Sequence, residues 1–94
     1  MFSAKHLSTV RNQTHRVGAD FLRIDSEVGL TFCRMSLSET DREGRRRMTR
    51  IARRAYDSIM LLSLQIELTD SEAIELDRNL SRLKGQLQDL GEAF

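Results

Sequence analysis

The sequence predicts an all-α protein, a three-helix antiparallel bundle whose helices run up, down and up. Three observations support this fold class. Apolar residues recur at spacings of three and four, helix-capping motifs precede two of the apolar stretches, and the chain contains no proline. Spacings of three and four keep side chains on one side of a 3.6-residue turn. A chain without proline can form long helices, and short connections make neighbouring helices antiparallel.

Residues 1–16 are predicted to form a disordered tail that precedes a single domain over residues 17–94. The tail contains Ser, Thr, Asn, Gln and His but few large apolar residues. A transit peptide also lacks acidic residues, but it is richer in Arg and more amphipathic. We therefore expect this segment to contribute little to the core.

The first helix is predicted over residues 17–35, and six large apolar residues at helical spacing are expected to form its buried face. These residues are Val17, Phe21, Ile24, Val28, Phe32 and Met35. Asp25 falls inside the same arc, where an unpaired carboxylate would be costly. We expect Asp25 to accept a structural hydrogen bond rather than to act in catalysis, because no second acid or histidine accompanies it.

The second helix is predicted to begin at a capping box formed by Thr40 and Glu43 and to end near Ser63. Its expected buried face consists of Met48, Ile51, Ala52, Ala55, Ile59 and Leu62. Over residues 62–68, after this face, apolar and polar residues alternate strictly. We expect residues 64–68 to form an extended connector, with a short two-stranded pairing as the alternative.

The third helix is predicted from a start signal, an apolar stripe and a stop signal. Its stripe consists of Ala73, Leu76, Leu80, Leu83, Leu87, Leu90 and Phe94. Thr69 and Glu72 form a capping box before the stripe, and Gly91 suits the left-handed conformation that ends many helices. We expect the stripe to pack within the chain, against the second helix.

Composition argues against several classes of function. The 94 residues carry a net charge of +1 and include one cysteine, so no internal disulfide can form, which suits a cytoplasmic location. No apolar run reaches the ~18 residues of a membrane span. Phosphate-binding glycine loops, nucleophile elbows and metal-ligand spacings do not occur. We therefore predict a protein that is not an enzyme and that uses no cofactor, metal or membrane.

A candidate anion-binding surface lies on the Arg-rich side of the second helix. Residues 41–57 carry seven Arg against three acidic residues. The residues that could contact the phosphates of a nucleic acid are Arg46, Arg50, Arg53 and Arg54. A solvated, ion-paired face is favoured, because Arg53 and Asp57 have the spacing of a helical ion pair and no aromatic residue is interleaved.

A candidate protein interface lies at the end of the second helix. Residues 56–68 carry more apolar surface than two neighbouring helices can readily cover, and uncovered apolar patches commonly mark interfaces. The alternative is that the connector folds back and buries these residues within one chain. The candidate residues are Tyr56, Met60, Leu61, Leu64 and Leu68. We predict a small protein-interaction or structural module whose partner is another protein or a second copy of the chain. Nucleic-acid binding through the Arg-rich side is the alternative.

Two resemblances accompany these patterns. Gly29 and Phe32 resemble the small and aromatic positions in the first helix of a tetratricopeptide repeat, and Ala52 and Tyr56 resemble positions in its second helix. The separation of Phe32 from Ala52 is longer than in that family, and the terminal proline of the repeat is missing. The stretch over residues 20–91 is similar to short bacterial helical proteins of uncharacterised function that end in a Leu-rich helix and a Leu-Gly pair. The first resemblance implies a helical hairpin, and the second implies a helical protein without assigning it an activity.

Overall fold

The computed structural model contains three α-helices, in the order α1 (Ala4–Ser38), α2 (Arg42–Leu62) and α3 (Asp70–Asp89). It describes the backbone of residues 4–94 and the side chains of residues 16–94. No strand occurs in residues 4–94. The predicted all-α class and three-helix bundle are therefore confirmed, and the two-stranded alternative for the connector is wrong.

Helix α1 begins earlier than the sequence suggested. It starts at Ala4 rather than near residue 17, so the predicted helix boundary is wrong. The segment before Gly18 contains neither proline nor another glycine, and no residue in it breaks a helix. The side chains of residues 1–15 lie outside the described part of the structure. The disorder predicted for residues 1–16 therefore stays a prediction.

Helix α2 begins one residue later than predicted. Its N-cap is Asp41, whose Oδ2 accepts a hydrogen bond from the backbone N–H of Gly44 at 2.9 Å. The capping box predicted for Thr40 and Glu43 is therefore wrong. A carboxylate at the N-cap accepts a backbone N–H and also favours the positive end of the helix dipole. The helix ends at Leu62, close to the predicted position.

Helix α3 has the predicted signals at both ends. The N–H of Glu72 donates to Thr69 Oγ1 at 3.2 Å, and the N–H of Thr69 donates to Glu72 Oε1 at 2.8 Å. After the helix, Gly91 adopts a φ of 97°, the left-handed conformation expected there. Both the capping box and the terminal glycine are confirmed.

The direction of each helix follows from contacts along α1. Ser36 lies 2.7 Å from the Thr49 hydroxyl in the first half of α2, and Leu22 packs with Ile59 near its end, so α1 and α2 are antiparallel. Ser26 accepts a hydrogen bond from Asn79 Nδ2 at 3.1 Å. Gly29 lies against Leu83, further along both helices, so α1 and α3 run parallel. This is the up, down and up order that the sequence predicted.

Two apolar clusters fill the space between the helices. The first contains Cys33, Ala52, Leu83 and Leu87. The second contains Leu22, Ile59 and Leu76. Helix α1 contacts both other helices extensively, whereas α2 and α3 contact each other much less. The prediction that the third helix packs chiefly against the second is wrong, because its leucines meet α1.

The buried face of α1 differs from the predicted one. It consists of Ala19, Leu22, Ser26, Gly29, Cys33 and Ser36, which we call the inner face. A Cβ placed on Gly29 would lie only 2.8 Å from Leu83 Cδ2, so α1 and α3 approach too closely there for a larger residue. Cys33 is fully buried, and burial raises the pKa of its thiol. Small residues at this contact let α1 pack against two helices at once.

Candidate protein-interaction surface

The large apolar residues of α1 that were predicted to be buried are mostly in solvent. Val17, Phe21, Ile24, Val28 and Met35 are each between 39% and 70% exposed, and we call them the outer stripe. The predicted buried face is therefore wrong for these five residues. The sixth predicted residue, Phe32, is half-buried and packs against the first apolar cluster.

The outer stripe forms a straight ridge on the helix. Its members are separated by four, three, four and seven residues, which places them on one side of α1. At 100° per residue, this side is turned by about 140° from the inner face. From Val17 to Met35 the ridge is about 27 Å long at 1.5 Å per residue. Helix α1 therefore presents one face to the bundle and a second apolar face to solvent.

Charged side chains follow one side of the outer stripe. Arg23 forms ion pairs with Asp20 and Glu27, each at 3.7 Å. Further along, Arg34 Nη2 donates to Thr31 Oγ1 at 3.4 Å, and Arg34 has no ion pair with any side chain of residues 16–94. We call Asp20, Arg23, Glu27 and Arg34 the charged edge. Asp20, Glu27 and Arg34 lie seven residues apart, so they occupy equivalent positions beside the stripe.

Asp25 lies on the other side of the outer stripe, partly buried. Desolvation raises the pKa of its carboxyl group. The hydrogen bond expected for Asp25 is not found among the described residues. Leaving this carboxylate without a partner makes its charged form less favourable in the folded chain.

The interface predicted at the end of the second helix is divided by the structure. Met60, Leu61 and Leu64 are exposed, and among the large apolar side chains of residues 16–94 Leu64 is the most exposed, at 84%. Tyr56 is half-buried against the first cluster, and its ring meets Phe94 edge-on with centroids 5.0 Å apart. Leu68 packs against the second cluster. Only the first three residues are free to form a surface patch.

The Arg-rich side of α2 is likewise divided. Arg46, Arg50 and Arg54 are exposed, as a phosphate-binding surface would require. Arg53 is engaged within the chain: its Nη1 donates to the carbonyl oxygen of Ala93 at 2.6 Å, and its Nε donates to Asp57 at 3.1 Å. Its guanidinium also lies 4.0 Å from the centre of the Phe94 ring. The helical ion pair predicted for Arg53 and Asp57 is present, and Arg53 holds the C-terminal segment against α2.

The sequence pattern assigned the outer stripe to the core, because the outer stripe and the inner face of α1 have the same helical periodicity. The inner face has spacings of three, four, three, four and three, as regular as those of the outer stripe. Side-chain size favoured the outer stripe as the buried one. The available signal was the row of Ala, Ser, Gly and Cys, because residues of that size permit close helix contacts.

No protein-family model, no curated protein and no solved structure matches this chain. The resemblances to tetratricopeptide repeats and to short bacterial helical proteins therefore stay predictions. Within the described part of the chain, no helix has both the length and the apolar character needed to cross a membrane.

Proposed function

We propose that the protein is a non-enzymatic helical module that binds another protein chain through the outer stripe. The observation that carries the proposal is the exposure of five large apolar residues along one side of α1. Burying such a surface is worth roughly 25 cal/mol for each Å² removed from water. Contiguous apolar ridges bordered by charges commonly mark protein interfaces.

The shape of the surface favours a helical partner. The outer stripe is a convex ridge rather than a pocket, and its regular spacing suits the ridges and grooves of another helix. The charged edge on one side would orient the partner, because charges at a rim determine register and specificity more than affinity.

Site-specific photocrosslinking tests this function. A photoreactive phenylalanine derivative is placed at Val28, in the middle of the outer stripe, and in a control protein at Ser81, which is exposed on α3. The two proteins are irradiated in the cells that express them and as purified chains. We expect a discrete cross-linked species from the Val28 protein alone. Identical products from both positions, or none from either, would contradict the proposal.

Nucleic-acid binding is the second candidate function. It is favoured by the exposure of Arg46, Arg50 and Arg54, none of which has an ion pair among the described side chains. We expect only weak binding that decreases steeply with salt, because three phosphate contacts supply little affinity. A mobility-shift titration of the native chain and of a variant with all three Arg changed to Glu measures it. A sub-micromolar complex at about 150 mM salt that the variant lacks would make this the primary function.

A further inference from the structure

We infer that the occupant of the outer stripe is a second copy of this chain, bound so that the two α1 helices are antiparallel. This inference rests on the proposed function and names its partner. A homodimer with twofold symmetry requires a surface that is complementary to itself, since the same patch meets its own copy in reverse. Both the sizes and the charges along α1 have this property.

The spacing of the outer stripe is that of a coiled-coil seam. With Thr31 included, the residues on this side of α1 follow steps of four, three, four, three and four. A repeat of 3.5 residues keeps such a seam facing one partner helix along its whole length. All six residues of this seam are exposed, so a second helix can lie along it.

Side-chain sizes favour the antiparallel direction. Around the midpoint between Ile24 and Val28, each of these two residues meets the other from the second copy. Phe21, the largest residue of the stripe, then meets Thr31 of the second copy, and Val17 meets Met35. Every layer combines a larger side chain with a smaller one, which fills space evenly. A parallel dimer would instead place Phe21 against Phe21 and leave Thr31 against Thr31.

Charges favour the same direction. In the antiparallel register, Asp20 lies beside Arg34 of the second copy, and the symmetry creates this contact twice. Arg34 has no ion pair among the described side chains of its own chain. In a parallel dimer, Asp20 would lie beside Asp25 of the second copy, a contact between like charges. Complementary charges at the edges of a seam specify partner and direction.

Two like-charge contacts near the twofold axis limit the strength of the dimer. Glu27 approaches its own copy on the charged edge, where the ion pair with Arg23 at 3.7 Å offsets part of the repulsion. Asp25 approaches its own copy on the other side of the seam. The footprint of the stripe is roughly 270 Å², from its length and a helix diameter of about 10 Å. Because this is only about a third of the roughly 800 Å² that each partner buries in a stable interface, we expect a weak dimer with a dissociation constant on the order of 100 µM.

Sedimentation of the purified chain over about 5–500 µM tests the inference. We expect a monomer–dimer equilibrium within this range. Ile24→Glu should make the chain monomeric throughout while the helical content is retained, because Ile24 is already half exposed. Ile74→Glu is the matched control: it changes an exposed Ile of α3, outside the seam, and should leave the equilibrium unchanged. Loss of dimer in both variants, or in neither, would contradict the assigned surface.

A charge exchange tests the direction. Asp20→Arg and Arg34→Asp should each weaken the dimer about fivefold or more, and the double variant should restore it, because the contact between the two copies is re-formed with the signs reversed. A double variant as weak as the single ones would contradict the antiparallel arrangement.

The outcomes separate this inference from the proposed function. A native chain that stays monomeric at about 500 µM overturns the second copy as occupant. If a photoreactive group at Val28 still cross-links to a different protein in that case, the interaction function stands. If the chain is monomeric and no cross-link forms, both fail.

Discussion

The inner face and the outer stripe of α1 lie on one helix and share one periodicity, yet they meet different surroundings. Apart from Leu22, the inner face is built from small residues, and it packs against α2 and α3. The outer stripe has larger apolar side chains and remains in solvent. The difference shows that room at the contact, as well as hydrophobicity, selects the face a central helix buries. The outer stripe is then available for another chain.

The inner face also tolerates polar residues because each has a partner. The Ser36 and Thr49 hydroxyls lie 2.7 Å apart, and the carbonyl oxygen of Arg45 lies 3.0 Å from the first and 2.8 Å from the second. One hydroxyl can therefore donate to the other, which in turn donates to the carbonyl. Ser26 donates to the carbonyl of Arg23 and accepts from Asn79. Buried hydroxyl groups with such partners carry little net cost. Small polar residues are therefore as suitable as alanine at this contact.

The two faces should differ most in how a new carboxylate affects folding, which is tested by placing Asp at two neighbouring positions, one on each face. Leu22→Asp buries an unpaired carboxylate at a site that is 1% exposed, and we expect it to unfold the chain, whose stability is about 5–15 kcal/mol at most. Phe21→Asp introduces the same charged residue but lies on the outer stripe. At a few µM it should stay folded, as circular dichroism would show. Equal unfolding by both variants would mean that the outer stripe is also buried.

A smaller effect should follow from filling the close contact of α1 with α3. Gly29→Val places side-chain atoms where Leu83 already lies, and we expect it to lower the free energy of unfolding by about 1–3 kcal/mol. Gly85→Val is the matched control, since no atom lies within 4 Å of a Cβ at that position. It should change stability by less than about 0.5 kcal/mol. Chemical denaturation measures both, and a Gly29→Val variant as stable as the native chain would contradict the close approach.

A third effect, smaller again, concerns the polar contact on the inner face. Thr49→Val and Ser36→Ala each remove one hydroxyl from a buried pair, and we expect a coupling of about 0.5–1.5 kcal/mol in a double-mutant cycle. Ser38→Ala is the control, because the Ser38 hydroxyl is exposed and its hydrogen bonds are to backbone carbonyls of α1 itself. Additive effects of the two buried changes would show that the 2.7 Å contact contributes no free energy of its own.

The parts of the fold that depend on local signals could be predicted from the sequence. The capping box of Thr69 and Glu72 and the terminal Gly91 are each determined by near neighbours in the chain. Contacts between residues that are far apart in the sequence could not be predicted from such local signals. Arg53 meets Ala93 and the ring of Phe94 because the C-terminal segment folds back on α2. No pattern in the sequence predicts this contact between Arg53 and the C-terminal segment.

Which face of α1 is buried also depends on contacts between residues that are distant in the sequence. It depends on how closely α2 and α3 approach, and the distance between Gly29 and Leu83 is set by the whole bundle. The exposure of Met60, Leu61 and Leu64 was expected, because more apolar residues occur there than two helices can cover. The same argument applied to α1 would have pointed to the outer stripe.

The smallest expected effect concerns Asp25, which lies between the two faces. Desolvation raises the pKa of its carboxyl group above the ordinary value of 3.8, so the folded chain holds this proton more tightly than the unfolded chain. As pH rises through this interval, the unfolded state loses its proton first and stability decreases. The penalty is complete above the folded-state pKa. Asp25→Asn should therefore raise the unfolding midpoint slightly at pH 7 and have no such effect near pH 3.

The Asp25 comparison is best made by thermal melts at a few µM, where the proposed dimer does not form. Asp20→Asn is the control, because Asp20 is exposed and pairs with Arg23, so its removal gives no gain. At about 100 µM a second consequence becomes measurable. Asp25→Asn removes the like-charge contact near the twofold axis, and sedimentation should show a tighter dimer than that of the native chain. A midpoint raised equally at both pH values would mean that the carboxylate charge is not the cause. An unchanged dimer would remove Asp25 from the seam.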